Sequence, residues 1–232
     1  MKKYLYLLVS ISICFTDLSA QSYAFGLKGG MTAATQRWNN FDSGQPLISY
    51  HGDIYIESWN EENLSAIFAS VGYHARGRAI RTRRTVGLNG EDFPSRTFNQ
   101  RLYNAALIIG VKKKIPLGND NKRGFYGFGV RGEYNIKTDL GIYDGFNDAV
   151  NKITYGVTVN GGFEFMFSEF IGGVFEISIH PDFGKQIFVP AFPNYIDPYT
   201  GVRRTLPEQN VVNTSIEISV GFRFLHKITY ID

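Results

Sequence analysis

The sequence predicts an all-β fold: a transmembrane, antiparallel, up-and-down β-barrel of eight strands. Three observations predict it. Apolar residues recur with period 2 over segments far longer than ordinary soluble strands. The connections between those segments alternate between short and long. No apolar run after position 20 approaches the roughly 20 residues of a membrane-spanning helix, so any crossing falls to strands.

The period is cleanest from Ile153 to Phe167. Ile153, Tyr155, Val157, Val159, Phe163, Phe165 and Phe167 share one face, and Thr154, Gly156, Thr158, Asn160, Gly162, Glu164 and Met166 share the other. From Val212 onward Thr214, Ile216, Ile218, Val220, Phe222 and Phe224 alternate with Asn213, Ser215, Glu217, Ser219, Gly221 and Arg223. Soluble strands usually run about five or six residues, whereas a tilted strand crossing a bilayer needs about nine to eleven. A soluble β-sandwich does not require strands of this length.

The same alternation marks strands at 22–36, 47–58, 64–81, 101–116, 125–136, 152–167, 170–181 and 210–225. Connections near 59–63, 117–124 and 168–169 are short and polar; those near 37–46, 82–100, 137–151 and 182–209 are longer. Bacterial barrels alternate short periplasmic turns with long external loops and keep both chain ends in the periplasm. A first strand running outward therefore needs a long first connection, which this chain has. Asn60–Asn63, Gly118–Asn121 and Pro190–Pro198 supply breakers at the boundaries, and Pro116 sits at a strand end, where its missing N–H matters least.

Residues 1–20 read as a cleaved signal peptide. Lys2 and Lys3 form the basic region, Tyr4–Phe15 the apolar region, and Leu18-Ser19-Ala20 the cleavage site before Gln21. The alternative, an N-terminal membrane anchor, is weakened by the short apolar stretch and by Asp17. The barrel domain is then 21–232. The one cysteine, Cys14, lies in the signal segment, so the mature chain has no disulfide or thiolate. Charged residues make up 19% of the chain, below the roughly one quarter of soluble domains, and a net charge of +3 is too small to argue for nucleic acid.

In this register Tyr23, Phe25, Leu27, Ile54, Ile56, Ile67, Val71, Tyr73, Leu107, Ile109, Val111, Tyr126, Phe128, Val130 and Tyr134 face lipid. Lys28, Arg76, Lys112, Arg131 and Arg223 point inward, with Asp53, Glu133, Glu164, Glu176 and Glu217. An eight-stranded barrel has an interior just wide enough for side chains. Buried charges have to be paired, so these ten residues predict a salt-bridged plug, with inward glycines making room for it.

Glu176-x-Ser178-x-His180-x-Asp182 is the one constellation with an enzymatic look. Residues i and i+2 of a strand lie about 6.5–7 Å apart, and a catalytic Ser–His hydrogen bond needs roughly 3 Å. A triad would have to recruit His74 or a carboxylate from another strand. His51, His74, His180 and His226 are scattered without metal-ligand spacing, and Gly29-Gly30 and Gly161-Gly162 precede no helix. No catalytic residue, cofactor or metal is expected. In the long loops Arg83, Arg84 and Arg96, and Phe188, Phe192, Tyr195 and Tyr199, combine arginine with aromatics, a composition suited to a protein partner or to lipopolysaccharide phosphates.

Tyr23-Ala-Phe-Gly-Leu-Lys-Gly-Gly-Met-Thr32 resembles the first strand of the Bacteroidota outer-membrane β-barrel family that includes PorT-like proteins. Val71-Gly-Tyr-His-Ala-Arg-Gly77 resembles its third strand and Leu107-Ile-Ile-Gly-Val-Lys-Lys-Lys114 its fourth. The resemblance implies a barrel of OmpA or OmpX size in the outer membrane of a Gram-negative cell. Some relatives are associated with type IX secretion and gliding, and no catalytic residues carry over. The expected function is a non-enzymatic structural or interaction component of the envelope; a narrow pore and a lipid-modifying enzyme are the alternatives.

Overall fold

The computed structural model describes residues 22–40, 44–59, 64–86, 90–141, 147–196 and 201–227. The predicted signal segment, the Asn60–Asn63 turn and Tyr199 lie outside them. In chain order the strands are β1 (Tyr23–Trp38), β2 (Gln45–Ser58), β3 (Ser65–Arg81), β4 (Thr85–Val86), β5 (Asp92–Phe93), β6 (Thr97–Leu117), β7 (Asn119–Asp139), β8 (Ile153–Met166), β9 (Ile171–Pro181), β10 (Ile187–Val189), β11 (Phe192–Ile196), β12 (Arg203–Leu206) and β13 (Gln209–His226).

Eight long strands make the wall. β1, β2, β3, β6, β7, β8, β9 and β13 pair in that order, and β13 pairs back onto β1 from Tyr23 opposite His226 to Trp38 opposite Val211. Every pairing in the wall is antiparallel. Closure removes sheet edges, the condition for a sheet to stand in hydrocarbon. All fifteen residues assigned to lipid by the alternation are on the outside, with Ile54 71% and Val130 60% exposed. So continuous an apolar exterior is far larger than a water-facing surface carries, and it makes this a transmembrane barrel.

Two boundaries differ from the sequence expectation. β6 and β7 continue to Thr97 and Asp139, so the 137–151 connection starts only at Leu140. Their ladder rises beyond the apolar band, where outward residues are polar and period-2 hydropathy no longer marks a strand. At the opposite end they turn at Gly118 (φ 73°), a far tighter reversal than the expected 117–124 connection. The loops also hold structure. β4–β5 and β11–β12 are small separate hairpins, and β10 takes up the ladder on β13 at Val211, above the point where β9 leaves it at Pro181.

The apolar core lies at the loop end. Leu102, Leu140, Val150, Ile187 and Val211 pack together with Trp38, Ala149 and Val189 against them, and this cluster closes the mouth. One glycine shapes the wall nearby. Gly77 has φ 146°, and a Cβ there would stand 1.8 Å from the Gln100 carbonyl oxygen on β6. Gly77→Ala is expected to destabilise the barrel by about 1–3 kcal/mol, read as a lower urea midpoint in detergent micelles.

Candidate functional site

Because the wall alternates, every second residue points into a lumen only wide enough for side chains, and charges from opposite strands meet there. At the turn end Glu57 of β2 is the centre. Lys112 Nζ lies 3.0 Å from Oε2, and Lys114 Nζ (2.5 Å) and Arg223 Nε (3.0 Å) share Oε1. Glu164 backs the same cations at 3.0 Å from Lys114, 3.8 Å from Lys112 and 3.9 Å from Arg223. Trp59 covers this cluster, with Arg123 and Arg223 each 4.4 Å and Lys114 Nζ 4.8 Å from its ring.

A buried aromatic layer of Tyr55, Phe68 and Phe125 lies above, and Lys112 Nζ reaches to 4.2 Å from the Phe125 ring. Lys28 of β1 pairs with Glu176 of β9 at this level. Tyr55, Phe68, Lys28, Lys112, Val174 and Glu176 enclose a void of about 10 Å³, room for about one water. Glycines admit these rings: a Cβ on Gly26 would meet Tyr55 at 2.8 Å, and one on Gly110 would meet Phe68 at 2.8 Å. The space they leave is therefore taken by aromatics as well as by the charged chains the sequence suggested.

Glu217 of β13 organises the next tier. His74 Nδ1 lies 2.9 Å, Arg76 Nη2 3.3 Å and Thr32 Oγ1 3.5 Å from Oε1, while His180 Nε2 is 3.0 Å from Oε2. The other nitrogen of His74 faces Asp53 Oδ1 at 3.1 Å. Arg76 also contacts Glu133 (3.1 Å) and Asp182 (3.8 Å); Arg131 holds Glu133 at 3.0 Å and pairs with Asp182. Toward the mouth come buried amides. Asn213 donates to Gln186 (2.5 Å), Asn104 to Glu133 (2.7 Å), and Arg78 Nε to Gln100 (2.7 Å) while stacking 4.1 Å from Trp38. The apolar mouth cluster sits over these.

Lys28, Asp53, Arg76, Lys112, Arg131, Glu133, Glu164, Glu176, Glu217 and Arg223 thus all line the lumen; nine contact an opposite charge, and Asp53 contacts the His74 imidazole. Glu57, Lys114 and Arg78 are further interior charges, outside the ten expected from the sequence. The signal was available, since each follows an inward residue (Tyr55, Lys112 and Arg76) by two positions. The two tryptophans at the ends of the lumen were not legible as interior residues, because Trp is ordinarily an interfacial residue in a barrel.

One expectation is corrected. Ser178 Oγ and His180 Nε2 do meet, at 2.8 Å. Strand spacing separates their Cα atoms, but in a narrow lumen the imidazole leans back along the strand and closes the gap. The resulting geometry differs from a triad. His180 Nε2 faces both the serine hydroxyl and Glu217, and Nδ1 meets the Thr158 hydroxyl at 2.9 Å. A catalytic base instead divides nucleophile and carboxylate between its two nitrogens. Ser178 and His180 are also buried among polar partners inside the plug.

Three of the four histidines that the sequence scatters are gathered by the fold, while His226 stands exposed beside Tyr23. His51 stacks on His74 at 5.7 Å, and His180 meets His74 edge-on at 6.1 Å. Their nitrogens are taken by Thr32, Ser219, Asp53, Glu217, Thr158 and Ser178, and among the described residues no three His, Cys, Asp or Glu converge on a metal position.

The loop candidates fall on different small sheets. Arg84 forks onto Asp92 at 2.7 and 2.8 Å across the β4–β5 hairpin, an exposed pair that solvent screens. Arg83 and Arg96 are exposed beside it. Phe188 lies on β10 under Lys185, whose Nζ is 4.6 Å from the ring; Phe192 and Tyr195 are on β11.

No protein-family model matches the sequence, and neither does any curated protein. Solved structures with similar shape include Neisserial surface protein A (TM-score 0.45, 11% identity, 87% of this chain and 97% of that one). Others are the attachment invasion locus protein Ail of Yersinia pestis (TM-score 0.42, 9% identity, 88% and 99%) and the outer membrane protease OmpT of Escherichia coli (TM-score 0.41, 10% identity, 90% and 98%). At these values they assign no activity to the chain.

Proposed function

We propose that the protein is a non-enzymatic outer-membrane β-barrel, a structural or interaction component of the Gram-negative envelope that works through its surfaces and not through its lumen. The observation that carries this reading is the filling of the lumen. Trp59 and the Glu57 cluster occupy the base, ion pairs and histidines the middle, and an apolar cluster the mouth. Passage of a solute would require breaking buried ion pairs, each break exposing an uncompensated charge. The PorT-like resemblance of three strands makes an envelope or secretion assembly the first setting in which to seek a partner. Crosslinking from the 182–209 loop in intact cells tests that.

The protein is expected in the outer-membrane fraction as a heat-modifiable band, and silent in planar bilayers. Recovery as a soluble periplasmic protein would remove the reading. Steady single-channel steps from folded protein would favour a narrow pore, and altered lipid A mass spectra in a deletion strain would favour a lipid-modifying enzyme.

A further inference from the structure

The outer wall carries a cluster that the filled lumen does not explain. Tyr50 of β2, Tyr73 of β3 and Tyr103 of β6 form a row across three neighbouring strands, with ring centroids 6.2 Å apart at 29° and 6.0 Å apart at 18°. Lys137 of β7, the ladder partner of Tyr103, extends the row, with its Nζ 5.9 Å from the Tyr103 ring. It is exposed, and makes no ion pair among the described residues. Below the row the wall is apolar, with Val71, Ile54 and Leu107. Above it on the same face of β6 stands Arg101, whose Nε is shielded from solvent and has no hydrogen-bond partner. Asp139, opposite Arg101 in the ladder, is the carboxylate at that level, which leaves Lys137 the freer cation.

Tyrosine rings belong at the border between hydrocarbon and headgroups, and cations beside them favour phosphate oxygens. A ligand that suits the whole column has acyl chains for the apolar band, a sugar for the tyrosine faces, and phosphate for Lys137 and Arg101. We propose that this face of β2, β3, β6 and β7 is a binding site for a phosphorylated, acylated saccharide lipid of the outer leaflet. The charge on the same hairpin agrees: Arg81 ends β3, and the chain between β3 and β6 carries Arg83, Arg84 and Arg96 against Glu91 and Asp92. The proposal rests on the outer-membrane reading and names the lipid partner within it.

The test uses purified, folded protein in detergent micelles, mixed with bisphosphorylated lipid A, dephosphorylated lipid A or phosphatidylglycerol and read by native mass spectrometry. Lipid A is expected to be retained about tenfold over either competitor, the scale of one charge-assisted contact. The R101Q/K137Q variant is expected to lose the preference over dephosphorylated lipid A, and Y73L/Y103L the preference over phosphatidylglycerol. R203Q/R204Q on β12 is expected to keep both. Equal retention of the three lipids by the unaltered protein, or an unchanged preference in R101Q/K137Q, overturns the proposal. A heat-modifiable gel shift confirms that each variant is folded. Cell fractionation separately reads the outer-membrane assignment, so the two failures are distinguishable.

Discussion

Glu57→Ala is expected to be among the most damaging single substitutions in the barrel, costing about 3–5 kcal/mol, the scale of removing one partner from a buried ionic cluster. Lys112, Lys114 and Arg223 all contact this carboxylate, and Glu164 is left to face the three of them alone. Glu169→Ala, at the exposed turn between β8 and β9, is expected to change stability by no more than about 0.5 kcal/mol. Urea unfolding in micelles measures both, and Trp59 reports on the base because Lys114 and Arg223 stack on it. Equal midpoints for the two variants would mean that the Glu57 cluster does not hold the base together.

The second large effect is expected at Glu217. Glu217→Ala removes the common partner of His74, His180 and Arg76, and about 3 kcal/mol or more is expected to go with it. Glu133 and Asp182 still hold Arg76, and Asp53 still holds His74, so the loss should be at the low end of the range. Tyr55, Phe68 and Phe125 lie between the Glu57 and Glu217 clusters, and no ion pair among the described residues joins them. The double variant should therefore lose the sum of the two single losses to within about 0.5 kcal/mol. A coupling energy well above that would show the lumen to be one continuous network instead of two tiers.

Much of this was legible because a strand has one simple rule. Period 2 assigns each residue to a face without knowledge of its neighbours, so Ile54, Val130 and Phe222 could be placed toward lipid and Arg76 and Glu217 toward the lumen. The alternation of short and long connections then marked which end of the barrel carries the long loops. What the rule could not supply was distance. Lys28 meets Glu176 from 148 positions away, and Glu57 collects cations from β6 and β13. Such partners depend on the stagger with which the sheet closes on itself. The Ser178–His180 contact lies outside the rule for the same reason, since backbone spacing does not say how a confined side chain leans.

The chain by itself thus determined an eight-stranded transmembrane barrel, its lipid-facing and charged faces, and which connections are long. Hydropathy period and turn residues are local properties that survive without the fold. Only the tertiary structure decided how the charges are paired, that two tryptophans close the ends of the lumen, and that Leu140, Val150 and Ile187 help cap its mouth. It likewise decided that Tyr50, Tyr73, Tyr103 and Lys137 form one row on the outer wall. Each of these joins residues distant in sequence, and the register and curvature of a closed sheet bring them together.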